Sequence, residues 1–292
     1  MKVLIAASLF LLTGLTPVAA NVLKVYELAT DSEVNKITLS GDHVIVKTRN
    51  SKHQILRSRE GAFTLEPPGK ALPAAPDLPE GSLPDGEIAT GSGNIRKVWL
   101  SAPTTRYGHA VLGDAIEAGA VTAELSDGSI VTYTLPETSV FEDRFPRLVD
   151  IDGDGETEIL LVKAWLDQGA ALIVIALNNG KLEVRAEAEA IGQSNRWLNP
   201  VGVGDFDNDG RNEIAAVITP HIGGTLQLYE MQGNHLVKDH SAYGFSNHAM
   251  GSRNLGLSVM ADLNAPSKFL RMLLSSQTTP PKSSALKCLS IS

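Results

Sequence analysis

A single cysteine, Cys288, stands in a chain of 292 residues. No intramolecular disulfide and no cysteine-based zinc cluster is therefore available. Aromatic residues make up only 5% of the chain, so the core must rest on aliphatic side chains. Basic residues number 25 against 33 acidic ones, for a formal charge of −8. That balance argues against nucleic acid or an anionic membrane surface as the main partner and suits a protein that collects cations. Nothing has the length and 3.6 period of an amphipathic helix; residues 184–191 come nearest, but briefly. There is no nucleophile elbow, no H-E-x-x-H and no phosphate-binding loop. What remains is a chain that is 43% hydrophobic, with 26 glycines for tight turns, as one built of short strands needs.

The first twenty residues have the form of a secretory signal. Lys2 gives the positive start, residues 3–15 are apolar, Pro17 breaks the run, and Val18-Ala19-Ala20 offers small residues at a cleavage site. The run is shorter than the roughly 20 apolar residues that span a bilayer. The expectation is a periplasmic or extracellular protein with no membrane span after cleavage.

Residues 21–66 alternate over short segments (22–28, 36–39, 43–48, 54–57), with Gly41-Asp42 placed as a hairpin turn. Residues 67–95 begin rich in Pro, Ala and Gly and read as a loop or linker. Strands resume at residue 96, and residues 96–292 carry an internal repeat. Four segments run apolar, small or apolar, then Asp: VLGD to Asp114, RLVD to Asp150, GVGD to Asp205 and VMAD to Asp262. The last three aspartates are 55 and 57 residues apart, and the first is the weakest member. Between them, strand-like runs at 158–163, 170–177 and 181–185 are matched by 213–219, 225–230 and 235–238. A unit of four antiparallel strands cannot bury both faces alone; radial stacking solves that and gives a β-propeller.

Two members carry acidic loops, DIDGDGETE at 150–158 and DFDNDGRNE at 205–213. Both place acids at positions one, three, five and nine and glycine at six. Calcium takes six to eight hard oxygen ligands, and alternate aspartates in a curled loop supply three carboxylates from one side. Gly155 or Gly210 permits the sharp turn, the carbonyl of Glu156 or Arg211 at seven points inward, and Glu158 or Glu213 closes the shell. Carboxylates this crowded repel one another unless a cation sits among them. An EF-hand is excluded, because its bidentate Glu belongs at position twelve, which here is Leu161 or Ala216.

On RLVDIDGDGETEILLV and VGVGDFDNDGRNEIAAV the chain resembles the FG-GAP/VCBS repeat family, whose relatives include the integrin α-subunit propeller. The resemblance covers about 120 residues. It implies a propeller with Ca2+ held between the first two strands of a blade, by Asp150, Asp152, Asp154 and Glu158 and by Asp205, Asp207, Asp209 and Glu213. The strand count favours about five four-stranded blades, with seven as the alternative. From about residue 256 the last unit departs from the pattern: VMADLN is followed by Ala265-Pro266, which breaks the acidic loop. A degenerate final blade and a shifted reading frame both account for this tail.

Arg106, His109, Asn199, His248 and Arg253 fall in loops that enter inner strands, and form a possible ligand face. Two functional classes follow. One is a binding or scaffold module for a protein or carbohydrate ligand. The alternative is a hydrolase or lyase with a pocket at the propeller centre. Calcium is structural in both.

Overall fold

The computed structural model describes residues 23–30, 32, 34–40, 43–50, 53–59, 62–67, 77–207, 209–262, 270–275 and 285–291. The expected leader, the Gly41-Asp42 turn, the first part of the Pro-rich stretch and the Asn264–Pro266 break lie outside them.

The described residues form an all-β protein without helix. The strands are β1 (Leu23–Ala29), β2 (Val34–Ser40), β3 (His43–Thr48), β4 (His53–Arg59), β5 (Ala62–Glu66), β6 (Ala89–Thr90) and β7 (Ile95–Thr104). They continue with β8 (Glu117–Leu125), β9 (Ile130–Thr134), β10 (Ser139–Phe141), β11 (Arg147–Val149), β12 (Glu158–Trp165), β13 (Gly169–Asn178) and β14 (Lys181–Ala188). The last seven are β15 (Leu198–Gly204), β16 (Glu213–Ile218), β17 (Thr225–Gln232), β18 (His235–Tyr243), β19 (Ser258–Asp262), β20 (Leu270–Ser275) and β21 (Ala285–Ile291).

Hydrogen bonding groups most of them into antiparallel meanders of four: β2 to β5, β6 to β9, β11 to β14 and β15 to β18. A fifth set is completed by the N-terminal strand, since β19 pairs β20, β20 pairs β21, and β21 pairs β1 with Leu23 opposite Ile291. Short strand β10 pairs both β8 and β12 and links the second set to the third. Two parallel pairs between β14 and β18 link the third to the fourth.

The second, third and fourth meanders share apolar clusters, and the alternation of side chains along each strand decides which neighbour a residue meets. In the third meander Ile159, Leu161, Ile173 and Ile175 join Val98, Leu100 and Val121 of the second, with Phe141 of β10. The residues between them, Leu160, Val162, Leu172 and Val174, join Trp197, Leu198, Ile214 and Ala216 toward the fourth. The fourth in turn offers Ala215, Val217, Leu226 and Leu228, against which Met260 of β19 packs. With both faces covered, β12 and β13 are continuous apolar runs rather than alternating ones. The outermost strands β9 and β18 are largely exposed.

Strands β2, β11, β15 and β19 converge, with Glu87 just before β6, on a cavity of about 990 Å3. Gly202 of β15 marks how close the approach is, because a Cβ there would lie 2.6 Å from Met260 Sδ.

Residues 184–188 continue the third strand of their unit, β14, as the sequence reading has it. Two expectations change. Residues 77–94 are no free spacer: Leu83 is buried and its amide bonds the Leu100 carbonyl, Ala102 N–H bonds Gly81 O, and Glu87 N–H bonds Arg144 O. Asp114 lies between the second and third strands of its meander, β7 and β8, whereas Asp150 and Asp205 lie between first and second strands. It is thus not a member of the repeat; the equivalent turn is the short one at 91–94, which has no acid.

Candidate metal centre

Each acidic loop joins a short first strand to a buried second strand, β11 to β12 and β15 to β16. The antiparallel register fixes the loop ends, Val149 facing Glu158 and Gly204 facing Glu213. Glu158 and Glu213 therefore begin strands whose other residues are core, and both are buried. Each reaches back across its loop, accepting the Ile151 amide at 2.8 Å or the Phe206 amide at 2.7 Å.

The first aspartate organises the curl. Asp150 accepts Gly153 N–H at 2.7 Å and Gly155 N–H at 3.0 Å; Asp205 accepts Gly210 N–H at 3.1 Å. Gly155 and Gly210 both take φ of +90°, a conformation side chains rarely adopt. In this fold carboxylate oxygens of Asp150, Asp152 and Glu158 lie within 4.8 Å of one another, as do those of Asp205, Asp207 and Glu213.

The expected ligands Asp154 and Asp209 lie outside these triads. Asp154 accepts the amide of Glu156 at 2.8 Å, and Asp209 that of Arg211 at 2.9 Å. Arg211 also ion-pairs with Asp209 and with Glu230, so its side chain enters the second loop as a cation. In the first loop the cation comes from outside: Arg185 of β14 reaches Asp152 at 3.1 Å and the Gly233 carbonyl at 2.7 Å.

These cations compensate the crowding only in part. Burial pushes the Glu158 carboxyl up to about 7, with Asp152, Asp154 and Asp150 adding to the rise against the Ile151 hydrogen bond. Glu213 is pushed up to about 7 in the same way, with Asp207, Asp205 and Asp209 adding. Asp205 Oδ1 is buried without a hydrogen-bond partner. Such an atom is costly unless a cation or water meets it. The donor set consists of hard oxygens and suits a hard divalent cation better than a softer metal.

The loops also touch. Asn212 donates to the Asp150 carbonyl at 3.3 Å, and a small cavity of about 130 Å3 lies between Asp152, Gly153, Gly210 and Arg211. At the other flank Asn94 clasps Thr157, accepting its N–H at 2.9 Å and donating to its carbonyl at 3.3 Å. Asn94, Asn212, Arg185 and Glu230 carried no signal in the sequence, because their roles depend on neighbouring meanders.

The five residues expected on one ligand face separate. Arg106 is a clamp, donating to Ser139 O and pairing with Glu137. Asn199 is fully buried and donates to Asn247 O and Leu255 O. Arg253 borders the large cavity and pairs with Asp114 at 2.7 Å and Asp85 at 3.2 Å. Only His109 and His248 come near a common pocket, His109 on its wall and His248 buried behind His221.

Residues 150–216 match the family model described as FG-GAP-like repeat. The match spans both acidic loops and the strands between them. Comparison with curated proteins finds no match. Among solved structures the chain is similar, at 10% identity, to a Thermus thermophilus protein described as a putative oxidoreductase (glucose dehydrogenase), with a TM-score of 0.29 over 91% of this chain and 99% of that one. It is similar at the same identity to the N-terminal domain of Nup159, with a TM-score of 0.31 over 89% of this chain and 76% of that one. Scores this low bear on neither fold nor function.

Proposed function

We propose that the chain is an exported, calcium-binding five-bladed β-propeller that serves as a binding or scaffold module for a protein or carbohydrate ligand. The observation that carries the calcium reading is the pair of carboxylate triads, each spanning no more than 4.8 Å, at equivalent places in two successive meanders. The unpartnered Asp205 Oδ1 points the same way. The FG-GAP-like match over residues 150–216 supports it.

The propeller reading draws on the five meanders, the apolar clusters that the second, third and fourth share and the cavity on which first strands converge. In that arrangement the β1–β21 pairing closes the ring with the two ends of the chain, and the last blade runs from about residue 256 despite its broken loop. Export rests on the form of residues 1–20 alone.

Asp150, Asp152 and Glu158 hold one ion and Asp205, Asp207 and Glu213 the other. Asp154, Asp209 and the carbonyls of Glu156 and Arg211 complete the shells once the loop tightens. The ions neutralise the loops and fix them against each other, leaving the blade edges as a rigid surface. A crystal structure grown with calcium tests this. One ion in each loop is the expected result; two empty loops with their side chains turned to solvent contradict it.

A further inference from the structure

At the end of the β15–β16 hairpin remote from the second acidic loop, four segments meet: 107–111, 195–197, 219–222 and 248–251. They enclose a cavity of about 410 Å3, of a size that takes small ligands. Three features set it apart from an ordinary gap between loops.

The first is backbone conformation. Five non-glycine residues have positive φ among the described residues, and three of them line this cavity: Ala110 (54°), Asn195 (55°) and Thr219 (47°). A β-branched residue in that region is a true outlier. Residues held so collect where surrounding structure over-determines them, commonly at ligand sites. Here the latches are Thr219 N–H to Trp197 O, Asn195 N–H to the Tyr107 hydroxyl, and Gly251 N–H to Val111 O.

The second is a chain of oriented imidazoles. The Ser252 carbonyl can only accept, so at 2.7 Å His248 Nε2 carries the proton. His248 is buried and kept neutral, its pKa lowered to about 4 by desolvation first. Its Nδ1 then accepts, and His221 Nε2, at 2.8 Å, donates. His221 is itself held below its ordinary value by burial. Neutral and protonated at Nε2, it presents a bare Nδ1, an acceptor for a ligand hydroxyl. Across the cavity His109 Nδ1 lies 2.5 Å from Oε1 of Glu142, a fully buried carboxyl whose other oxygen has no partner. That contact fixes the ring and leaves Nε2 for a ligand.

The third is charge. Arg196 is the one charged side chain lining the cavity, which has no acid on its wall. It makes no ion pair among the described residues; its Nη1 donates to the carbonyl of Asn195 at 3.3 Å. Ile222 and Met250 stand exposed on the same wall.

We propose that this cavity binds a small hydroxylated carboxylate about the size of one hexuronate, its carboxylate on Arg196 and a hydroxyl on His221 Nδ1. His109, positioned by Glu142, supplies the second polar contact, and the apolar wall covers the ring. The site is independent of calcium, because β15 separates it from the second acidic loop by about 20 Å.

The test uses the full chain, labelled with 15N-histidine, with D-glucuronate and D-galacturonate as probes. Glucose serves as the uncharged control and acetate as the control without a hydroxyl. Imidazole resonances of His109 and His221 should shift with at least one uronate, with a Kd of about 1 mM or tighter. Glucose and acetate should bind at least about tenfold more weakly, and Arg196→Gln should weaken the uronate about tenfold. No shift with either uronate overturns the proposal. So does equal binding of glucose or acetate, or an Arg196→Gln protein that binds as the parent does.

Discussion

The two acidic loops have the same spacing and the same turn glycine but carry different charge. Residues 150–158 hold five acids and no base; residues 205–213 hold four acids and Arg211. The first is neutralised only from a neighbouring strand, by Arg185 on Asp152. The second carries its own cation, spread over Asp209 and Glu230. Asp150 is gripped by two loop amides and Asp205 by one, which leaves Asp205 Oδ1 bare. A motif that reads as one repeat is thus two loops of different charge and grip. The first is expected to be the tighter and the second the weaker, because affinity in such loops follows ligand charge and rigidity.

The sharpest way to break this comparison is to remove the organising aspartates one at a time. Asp150→Ala should abolish ion binding at the first loop, a loss of at least about a hundredfold in affinity. Asp205→Ala should do so at the second and leave the first intact. Terbium luminescence titration of each variant reads this directly. If either substitution emptied both loops, they would be one coupled site.

Next in size is stability. A site saturated a hundredfold above its Kd adds about 2.7 kcal/mol, worth a few degrees in Tm for a protein of this length. Chelation should lower the Tm of the parent protein by about that amount. It should lower that of Asp205→Ala nearly as much, and that of Asp150→Ala much less. Differential scanning calorimetry with and without EGTA gives the ranking.

A control outside both loops separates general acidity from ion binding. Glu117, buried at the start of β8, has its pKa raised from 4.5 to about 10 by desolvation first, with Glu142 adding. The folded state keeps a proton that the unfolded state loses, so this group's contribution to stability falls as pH rises from about 4.5 to about 10. Glu117→Gln should flatten that slope and stabilise the protein by about 2 kcal/mol at pH 8. Urea denaturation at several pH values measures it, and calcium affinity should not change.

The smallest expected effect tests the loop difference most finely. Arg211→Gln removes the built-in cation and should tighten calcium at the second loop about two- to fivefold at low salt, with the gain shrinking as salt rises. Calorimetric titration at two ionic strengths would show it. A weakened site would mean that Arg211 orders the loop instead of competing for it.

What could be read from the sequence was what is local. Alternation placed β2, β3 and β17 and apolar runs placed β12 and β13, each to within a few residues, and the 1-3-5-9 acids with Gly155 and Gly210 marked the loops. That Asp154 and Asp209 accept the amides of Glu156 and Arg211 within their own turns is visible only in the folded loop. The pairing of β1 with β21 joins chain ends and leaves no mark on either strand's pattern. The Asp114 segment misled because four matching residues say nothing of strand order. The histidine cavity was half visible. His109 and His248 stood out as residue types, but Glu142, Arg196 and the φ of Thr219 acquire meaning only when four distant segments meet.

Isothermal titration of calcium into chelator-stripped protein bears most directly on the whole account. Two sites of unequal affinity, the tighter lost in Asp150→Ala and the weaker in Asp205→Ala, are the expected result. No heat of binding, together with a Tm that is unchanged by calcium, would contradict it.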